Sequence, residues 1–173
     1  FEIPDSMLHR HLLCVTRYTS VPQGLGKYAG EQVNESTIYF EKRDDKTMFL
    51  RAYVLSQFAD STNRIAKTLV KSTVDPVMGS FRIIGTHPDK AMSMIEVTSL
   101  FLSDNKLMAT ASTGPGQMPG PTRLSGLMGN RSYIDTLKVF PINIEVATTR
   151  TYGANGNSPA GQLGVATLGM NTS

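Results

Sequence analysis

Histidine and cysteine are the residue types in this chain most suited to chemistry, and both are rare: it contains three histidines and one cysteine. His9 and His11 form an H-x-H pair, and on a strand their side chains would lie on one face, as two ligands of a zinc ion can do. The remaining ligands would have to be His87, Cys14 or a carboxylate far away in the sequence. A surface or hinge pair is therefore the interpretation we favour, and we predict neither a metal nor a cofactor.

Signatures of nucleophilic catalysis are missing as well. Cys14 lies in the apolar strand-like run LLCVTR, so we expect a buried small hydrophobe, with a thiol activated by a neighbouring histidine as the alternative. One cysteine allows no internal disulfide. The sequence contains neither G-x-S-x-G nor HExxH, and Ser80 lies within a strand pattern rather than at a strand-to-helix turn. We therefore predict no catalytic residue and no enzymatic activity for this chain.

Two polar motifs could bind ligands of other kinds. The glycine-rich stretch Gly114–Gly120 lacks the lysine and the following helix of a phosphate-binding loop, so a plain loop is favoured. Carboxylates beside the predicted hairpins could hold calcium or a sugar, but acidic side chains near turns are usually only solvated. They are Glu31, Glu35, Glu41, Asp44 and Asp45.

Aromatic side chains give one candidate interaction face. Tyr39, Phe49 and Tyr53 fall at alternating strand positions, where such residues are usually core or cross-strand pairs. A sheet face left uncovered by helices would instead expose them to a partner. Together with Met118 and Arg123 from a long loop at residues 103–129, they form the interaction face that we predict.

The composition is that of an ordinary globular domain. The 173 residues are 40% hydrophobic and 18% charged with a net charge of +3, which suits a single domain at residues 1–173. Lysine and arginine are scattered rather than clustered, so no nucleic-acid partner is expected. No apolar run approaches the roughly 18 residues of a membrane span. The opening FEIPDS has neither a methionine start nor a charged leader, so we expect a fragment of a longer protein.

Hydrophobic periodicity predicts mostly strands in the first hundred residues. Leu12–Ser20 is rich in β-branched and aromatic residues, as strands are. Two antiparallel hairpins follow, each around a polar turn. Their strands are Thr37–Lys42 with Thr47–Leu55 and Val77–Gly85 with Ala91–Val97.

Two helical segments are expected in the middle of the chain. Residues 60–72, DSTNRIAKTLVKS, place Ile65 four residues before Leu69 with polar residues opposite, which predicts an amphipathic helix. Thr98 would cap a short helical turn that ends at Leu102.

The last third of the chain predicts a further short helix and two strands. Ser132-x-x-Asp135 resembles a capping box, and the helical turn that it starts would end at Pro141. Ile142–Val146 alternates apolar and polar residues as a strand does. The other expected elements are the Gly/Pro-rich loop at residues 103–129, a loop at residues 153–161 and a last strand, Gln162–Leu168.

These elements together predict an α+β fold. It would contain a mostly antiparallel sheet of about seven strands built from hairpins, with one amphipathic helix and two short helices on one face.

Several short runs, in order, resemble a known family. They are FEIPDSMLHRHLLCVTRYTS at residues 1–20, GEQVNE at 30–35, LRAYV at 50–54, MIEVTSLF at 94–101 and NRSYIDTLKVFPINIEV at 130–146. The family is a domain of unknown function that precedes a metzincin-like peptidase domain, bearing HExxHxxGxxH, in zinc-dependent metalloproteases of Bacteroides-type bacteria. The GPGQMPGP run and the tail after Gly153 depart from the resemblance.

The resemblance implies a position rather than a chemistry. This chain would be a non-catalytic N-terminal accessory domain that packs on, or shields, the C-terminal peptidase domain of the same polypeptide. The protein would be periplasmic, associated with the outer membrane or secreted. The alternative function is a stand-alone module that binds a peptide or glycan through the 103–129 loop and the aromatic face.

Overall fold

The computed structural model describes residues 1–54, 74–87, 89–108 and 121–173. Of these residues, 57% lie in strands and 11% in helices, and the paired strands run antiparallel. The described part of the chain is therefore an antiparallel β structure, and the prediction of an α+β fold with about seven strands is wrong. Its ten strands are β1 Glu2–Pro4, β2 Leu12–Ser20, β3 Gln32–Asp44, β4 Thr47–Ala52, β5 Val77–Thr86, β6 Met92–Ile95, β7 Thr122–Leu127, β8 Tyr133–Val139, β9 Ile144–Gly156 and β10 Val165–Thr172.

The chain divides into two compact units. Unit 1 comprises Phe1–Leu12 and Ser36–Glu96, and unit 2 comprises Leu13–Glu35 and Val97–Ser173. The long strand β3 contributes residues 32–35 to unit 2 and residues 36–44 to unit 1. The expectation of one domain at residues 1–173 stays a prediction.

Unit 1 is a sheet in the order β1-β6-β5-β4-β3. The two hairpins predicted from the sequence are confirmed, since β3 pairs with β4 and β5 pairs with β6. Side chains alternate along β4: Met48 and Leu50 are fully buried, while Phe49 and Arg51 lie on the half-exposed face. Phe81 packs into the same buried side from β5.

Unit 2 is organised around β9, the strand that follows Pro141. Along one edge β10 pairs with it from Val165 to Thr172, and β2 pairs with β10. Along the other edge lie β8, opposite the first half of β9, and β7, opposite its end. The hydrophobic core contains Tyr18, Tyr152, Leu168 and Met170. The prediction of a strand at Leu12–Ser20 is confirmed by β2.

The helical turn predicted from Ser132 to Phe140 is wrong, because this segment forms the strand β8. Tyr, Ile, Thr and Val favour strands, and β9 is long enough to offer them an antiparallel partner. The capping-box prediction is wrong too. The Ser132 hydroxyl donates to the Met128 carbonyl at 2.8 Å and accepts the Thr151 N–H at 3.0 Å, so it fastens the start of β8 to β9.

Two predicted loops also contain regular structure. Strand β7 lies within residues 103–129, and β9 continues through residue 156 into the loop expected at 153–161. Helix α2, Pro159–Leu163, follows; Ser158 caps it by accepting the Gly161 N–H, and Gly164 ends it in the left-handed conformation. The last strand therefore starts later than predicted.

The described helices are short. Helix α1, Thr98–Leu102, lies where a helical turn was predicted, but its N-cap is Val97 rather than Thr98 and carries no side-chain capping bond. None of the helices in the described ranges is long and apolar enough to cross a membrane. The amphipathic helix predicted at residues 60–72 lies outside the described residues, as does Gly114–Gly120.

Candidate functional site

The predicted interaction face is partly assembled on the β3–β4 hairpin of unit 1. Tyr39 lies opposite Arg51 and Phe49 lies opposite Glu41, so these side chains share one face of the hairpin. Tyr53 directly follows β4 and belongs to the same face by its spacing. The other two members are not brought to it: Arg123 lies in β7 of unit 2, and Met118 lies outside the described residues.

Both N-terminal histidines join the tyrosines of this face. The His11 ring centroid is 4.3 Å from that of Tyr53 and 5.9 Å from that of Tyr39. The His9 and Tyr39 centroids are 6.0 Å apart. We call these four residues the imidazole–phenol cluster. The sequence predicted a surface pair of histidines and a tyrosine face separately, but nothing in the residue spacing showed that they meet.

Backbone contacts hold the cluster in place. Leu8 forms a bridge with Phe40, and the His9 N–H donates to the Phe40 carbonyl at 2.9 Å. Tyr53 is fixed in the same manner, since its N–H donates to the Thr37 carbonyl at 2.8 Å. His9 has φ of 59°, the left-handed conformation that costs a residue with a side chain some energy. The surrounding hydrogen bonds keep it there.

A polar network borders the cluster. Arg51 donates through Nε to Glu41 and through a terminal nitrogen to the Asp75 carbonyl at 2.7 Å. The Tyr39 hydroxyl donates to the Asp75 carboxylate at 3.0 Å, and the other oxygen of that carboxylate accepts the Val54 N–H at 3.1 Å. Burial, together with the hydrogen bond to Asp75, raises the pKa of Tyr39. Arg51 and Glu41 therefore form an ion pair beside the rings, while the Asp75 carboxylate is held by two neutral donors.

Phe49 has a different environment from the tyrosines. The guanidinium carbon of Arg43 lies 5.4 Å from the ring centroid and that of Arg51 lies 5.7 Å from it, distances at which cation–π attraction operates. The Phe49 ring therefore already contacts two guanidinium groups. The open part of the face is the end that carries the imidazole–phenol cluster.

The carboxylates singled out in the sequence do not gather around one point. Glu31 pairs with Lys27 at 2.6 Å, Glu35 accepts from Gln32 at 3.0 Å, and Asp44 accepts the Lys46 N–H at 2.8 Å. Among the residues that the structure describes, no group of three or more His, Cys, Asp or Glu is arranged to hold a metal ion.

Cys14 is buried in unit 2, as its apolar neighbours predicted. Burial raises the pKa of its thiol to about 11. The thiolate is therefore strongly disfavoured, which suits a packing residue rather than a nucleophile.

Arg150 is a residue that the sequence reading missed. It is fully buried in β9, and its guanidinium donates to the carbonyls of Phe101, Ser103 and Met108 and to the Tyr152 hydroxyl. These bonds tie the α1 segment to β9. The signal was present, because the alternation that begins at Val146 places position 150 on the core side of the strand.

The β8–β9 hairpin presents two unlike faces. Strand register puts Leu137 opposite Val146 and Val139 opposite Ile144 on the face that leads into the core. Val146 is buried, but toward the turn Leu137 is 50% and Val139 is 69% exposed. The turn itself adds Phe140 and Ile142, the latter 97% exposed.

The opposite face of this hairpin is polar. A shallow depression of about 120 Å³ lies there across β2, β10, β9 and β8. Its lining consists of Thr19, Thr136, Lys138, Glu145, Ala147 and Asn171. The apolar residues of the hairpin are therefore concentrated on its core-side face and at its turn.

Comparisons with curated proteins and with solved structures give no match. A family model does match, from residue 30 to residue 173, so it covers the glycine-rich loop and the tail that departed from the resemblance noted in the sequence. The match spans most of the chain, and the chain thus belongs to the family DUF5117, a domain of unknown function.

Proposed function

We propose that this chain is a non-catalytic accessory domain that packs on a zinc-dependent peptidase domain of the same polypeptide. Membership of a family of unknown function is compatible with this role but says nothing of a peptidase. The inference of a peptidase domain rests on the family resemblance of the N-terminal and 130–146 motifs. The periplasmic, outer-membrane-associated or secreted location is inferred from the same resemblance.

The core-side face of the β8–β9 hairpin is the observation that carries the proposal. Leu137, Val139 and Ile144 continue the alternation of a buried sheet face beyond the point where unit 2 covers it. Together with Phe140 and Ile142 they make five exposed large apolar side chains on one short hairpin, and such concentrations of exposed apolar residues often mark interaction surfaces.

The two-faced character of the hairpin favours a folded protein as the covering layer. Antiparallel sheets alternate apolar and polar residues when one face packs on protein and the other meets water. Thr136, Lys138 and Glu145 occupy the water-facing side here. A neighbouring domain that lies flat on Leu137 and Val139 would complete the core layer.

A binding experiment tests the docking surface. The peptidase domain, produced separately, is titrated with this chain by calorimetry, and Ile142→Asp or Val139→Asp is expected to weaken binding at least about tenfold. Leu163→Asp is the matched control, since Leu163 is an exposed apolar residue in α2. Wild-type binding by both hairpin variants, or no binding by the unaltered chain, would overturn the docking role.

The non-catalytic part of the proposal has a separate test. The chain is incubated with casein with and without added zinc, and no cleavage is expected. Robust zinc-dependent proteolysis would refute it.

A second candidate function is a peptide- or glycan-binding module. The imidazole–phenol cluster favours it, because exposed rings held by the backbone are typical of recognition sites. The two functions use different units of the chain and do not exclude each other.

A further inference from the structure

The imidazole–phenol cluster has three features of a preformed binding site. His9 and His11 are exposed and Tyr53 is 39% exposed, so ring surface is available to a ligand. Backbone hydrogen bonds of His9 and Tyr53 to β3 fix the main chain that carries the rings, which lowers the entropy lost on binding. His9 adopts a left-handed φ of 59°, and such strained residues concentrate at functional sites.

The charges around the cluster indicate an uncharged ligand. Arg51 is bonded to Glu41 and to the Asp75 carbonyl, and the Asp75 carboxylate is bonded to Tyr39 and Val54. An anionic ligand would have to compete with Glu41 for Arg51, and a cationic ligand would have to compete with the Tyr39 hydroxyl and the Val54 N–H for the Asp75 carboxylate. A neutral ligand can bind while the network stays intact.

The neighbouring strands indicate that ring faces, rather than backbone groups, recognise the ligand. β4 is hydrogen-bonded on both edges, to β3 and to β5. An extended peptide that adds a strand needs a free edge, and β4 offers none. The exposed surface of the paired His11 and Tyr53 rings is the part of this site that a ligand can contact.

Rings with polar tips suit one class of ligand best. The faces of aromatic rings carry partial negative charge and attract the C–H groups of a pyranose ring. The imidazole nitrogens and the Tyr53 hydroxyl can donate to or accept from sugar hydroxyls. We propose that the imidazole–phenol cluster binds a neutral, pyranose-containing oligosaccharide. The inference rests on the second candidate function, so its failure would leave the docking experiments untouched.

The test uses the full chain and defined sugars. Neutral hexasaccharides of glucose, mannose, xylose and N-acetylglucosamine are titrated while the ring resonances of histidine and tyrosine are followed by NMR. At least one is expected to shift the His11 and Tyr53 signals, and His11→Ala and Tyr53→Ala are each expected to weaken its binding about tenfold.

Two further variants make the result decisive. Tyr53→Phe keeps the ring and is expected to retain most of the affinity, which also guards against misfolding of the alanine variants. Tyr133→Ala is the matched control, since Tyr133 is 55% exposed on β8 of unit 2, and it is expected to bind as wild type. The proposal is overturned if none of the sugars shifts the ring signals at millimolar concentration, or if the His11→Ala and Tyr53→Ala variants bind unchanged. Binding of a proline-rich peptide at these rings, with the sugars inactive, would overturn it as well.

Discussion

The β3–β4 hairpin of unit 1 and the β8–β9 hairpin of unit 2 differ in how far their apolar residues are buried. Each has one apolar face. On that face of β4 Met48 and Leu50 are fully buried, whereas in β8 Leu137 and Val139 are exposed. The polar faces differ too, since Arg51, Glu41 and Tyr39 form a connected network on the first hairpin. The first hairpin has fully buried apolar residues in β4, and the second has exposed apolar residues in β8.

Truncating one leucine in each hairpin gives the largest expected contrast. Leu50→Ala leaves a cavity in a fully buried site and should lower the free energy of unfolding by about 2–5 kcal/mol. Leu137→Ala removes a half-exposed side chain and should cost less than about 1 kcal/mol. Urea unfolding of the two variants measures both values. Equal losses would mean that β8 is as well covered as β4.

Two arginines extend the comparison to polar groups. Arg150→Met would leave the carbonyls of Phe101, Ser103 and Met108 without their shared donor inside unit 2, and we expect a loss of about 3 kcal/mol. Arg51→Met breaks a partly exposed ion pair with Glu41 and should cost about 1 kcal/mol or less. Chemical denaturation again gives the measurement. A larger loss for Arg51 than for Arg150 would contradict the assignment of Arg150 as the internal anchor.

The two hairpins also show what sequence reasoning could reach. The β3–β4 pair follows from two alternating runs around a polar turn, because local pattern and tertiary structure agree there. β8 was mistaken for a helical turn because Ser132 and Asp135 have capping-box spacing. Its true state depends on β9, whose full length the sequence did not show, and non-local pairing overrode the local signal.

The candidate site was predictable only in part. The period-two placement of Tyr39, Phe49 and Tyr53 on one hairpin needs only local information. The contact of His9 and His11 with the tyrosines depends on the bridge between Leu8 and Phe40, about thirty residues apart. Residue spacing in the sequence does not predict that bridge.

The dependence of stability on alkaline pH tests whether Cys14 is buried in the folded unit 2, although the β8–β9 hairpin of the same unit has exposed apolar residues. Burial raises the pKa of the Cys14 thiol from an ordinary 9.0 to about 11 in the folded chain. Because the folded pKa is raised, the stabilising contribution is complete below pH 9 and is lost as pH rises toward 11, by up to about 2 kcal/mol. Urea unfolding of wild type and Cys14→Ala at pH 8 to 11 measures the difference in slope. Identical slopes would mean that Cys14 is accessible to solvent in the folded chain.

The smallest expected effect is the one that separates a docking residue from a core residue. Ile142 is 97% exposed in the β8–β9 turn, so Ile142→Asp should change the free energy of unfolding by less than about 0.5 kcal/mol. The same substitution is expected to abolish most of the binding to a peptidase domain, since a carboxylate cannot enter an apolar contact without losing its hydration. Thermal and urea unfolding of the variant check the first half. If Ile142 instead supported the fold, the substitution would lower the free energy of unfolding and weaken binding in proportion. That outcome would assign Ile142 to the packing of unit 2 rather than to a docking surface.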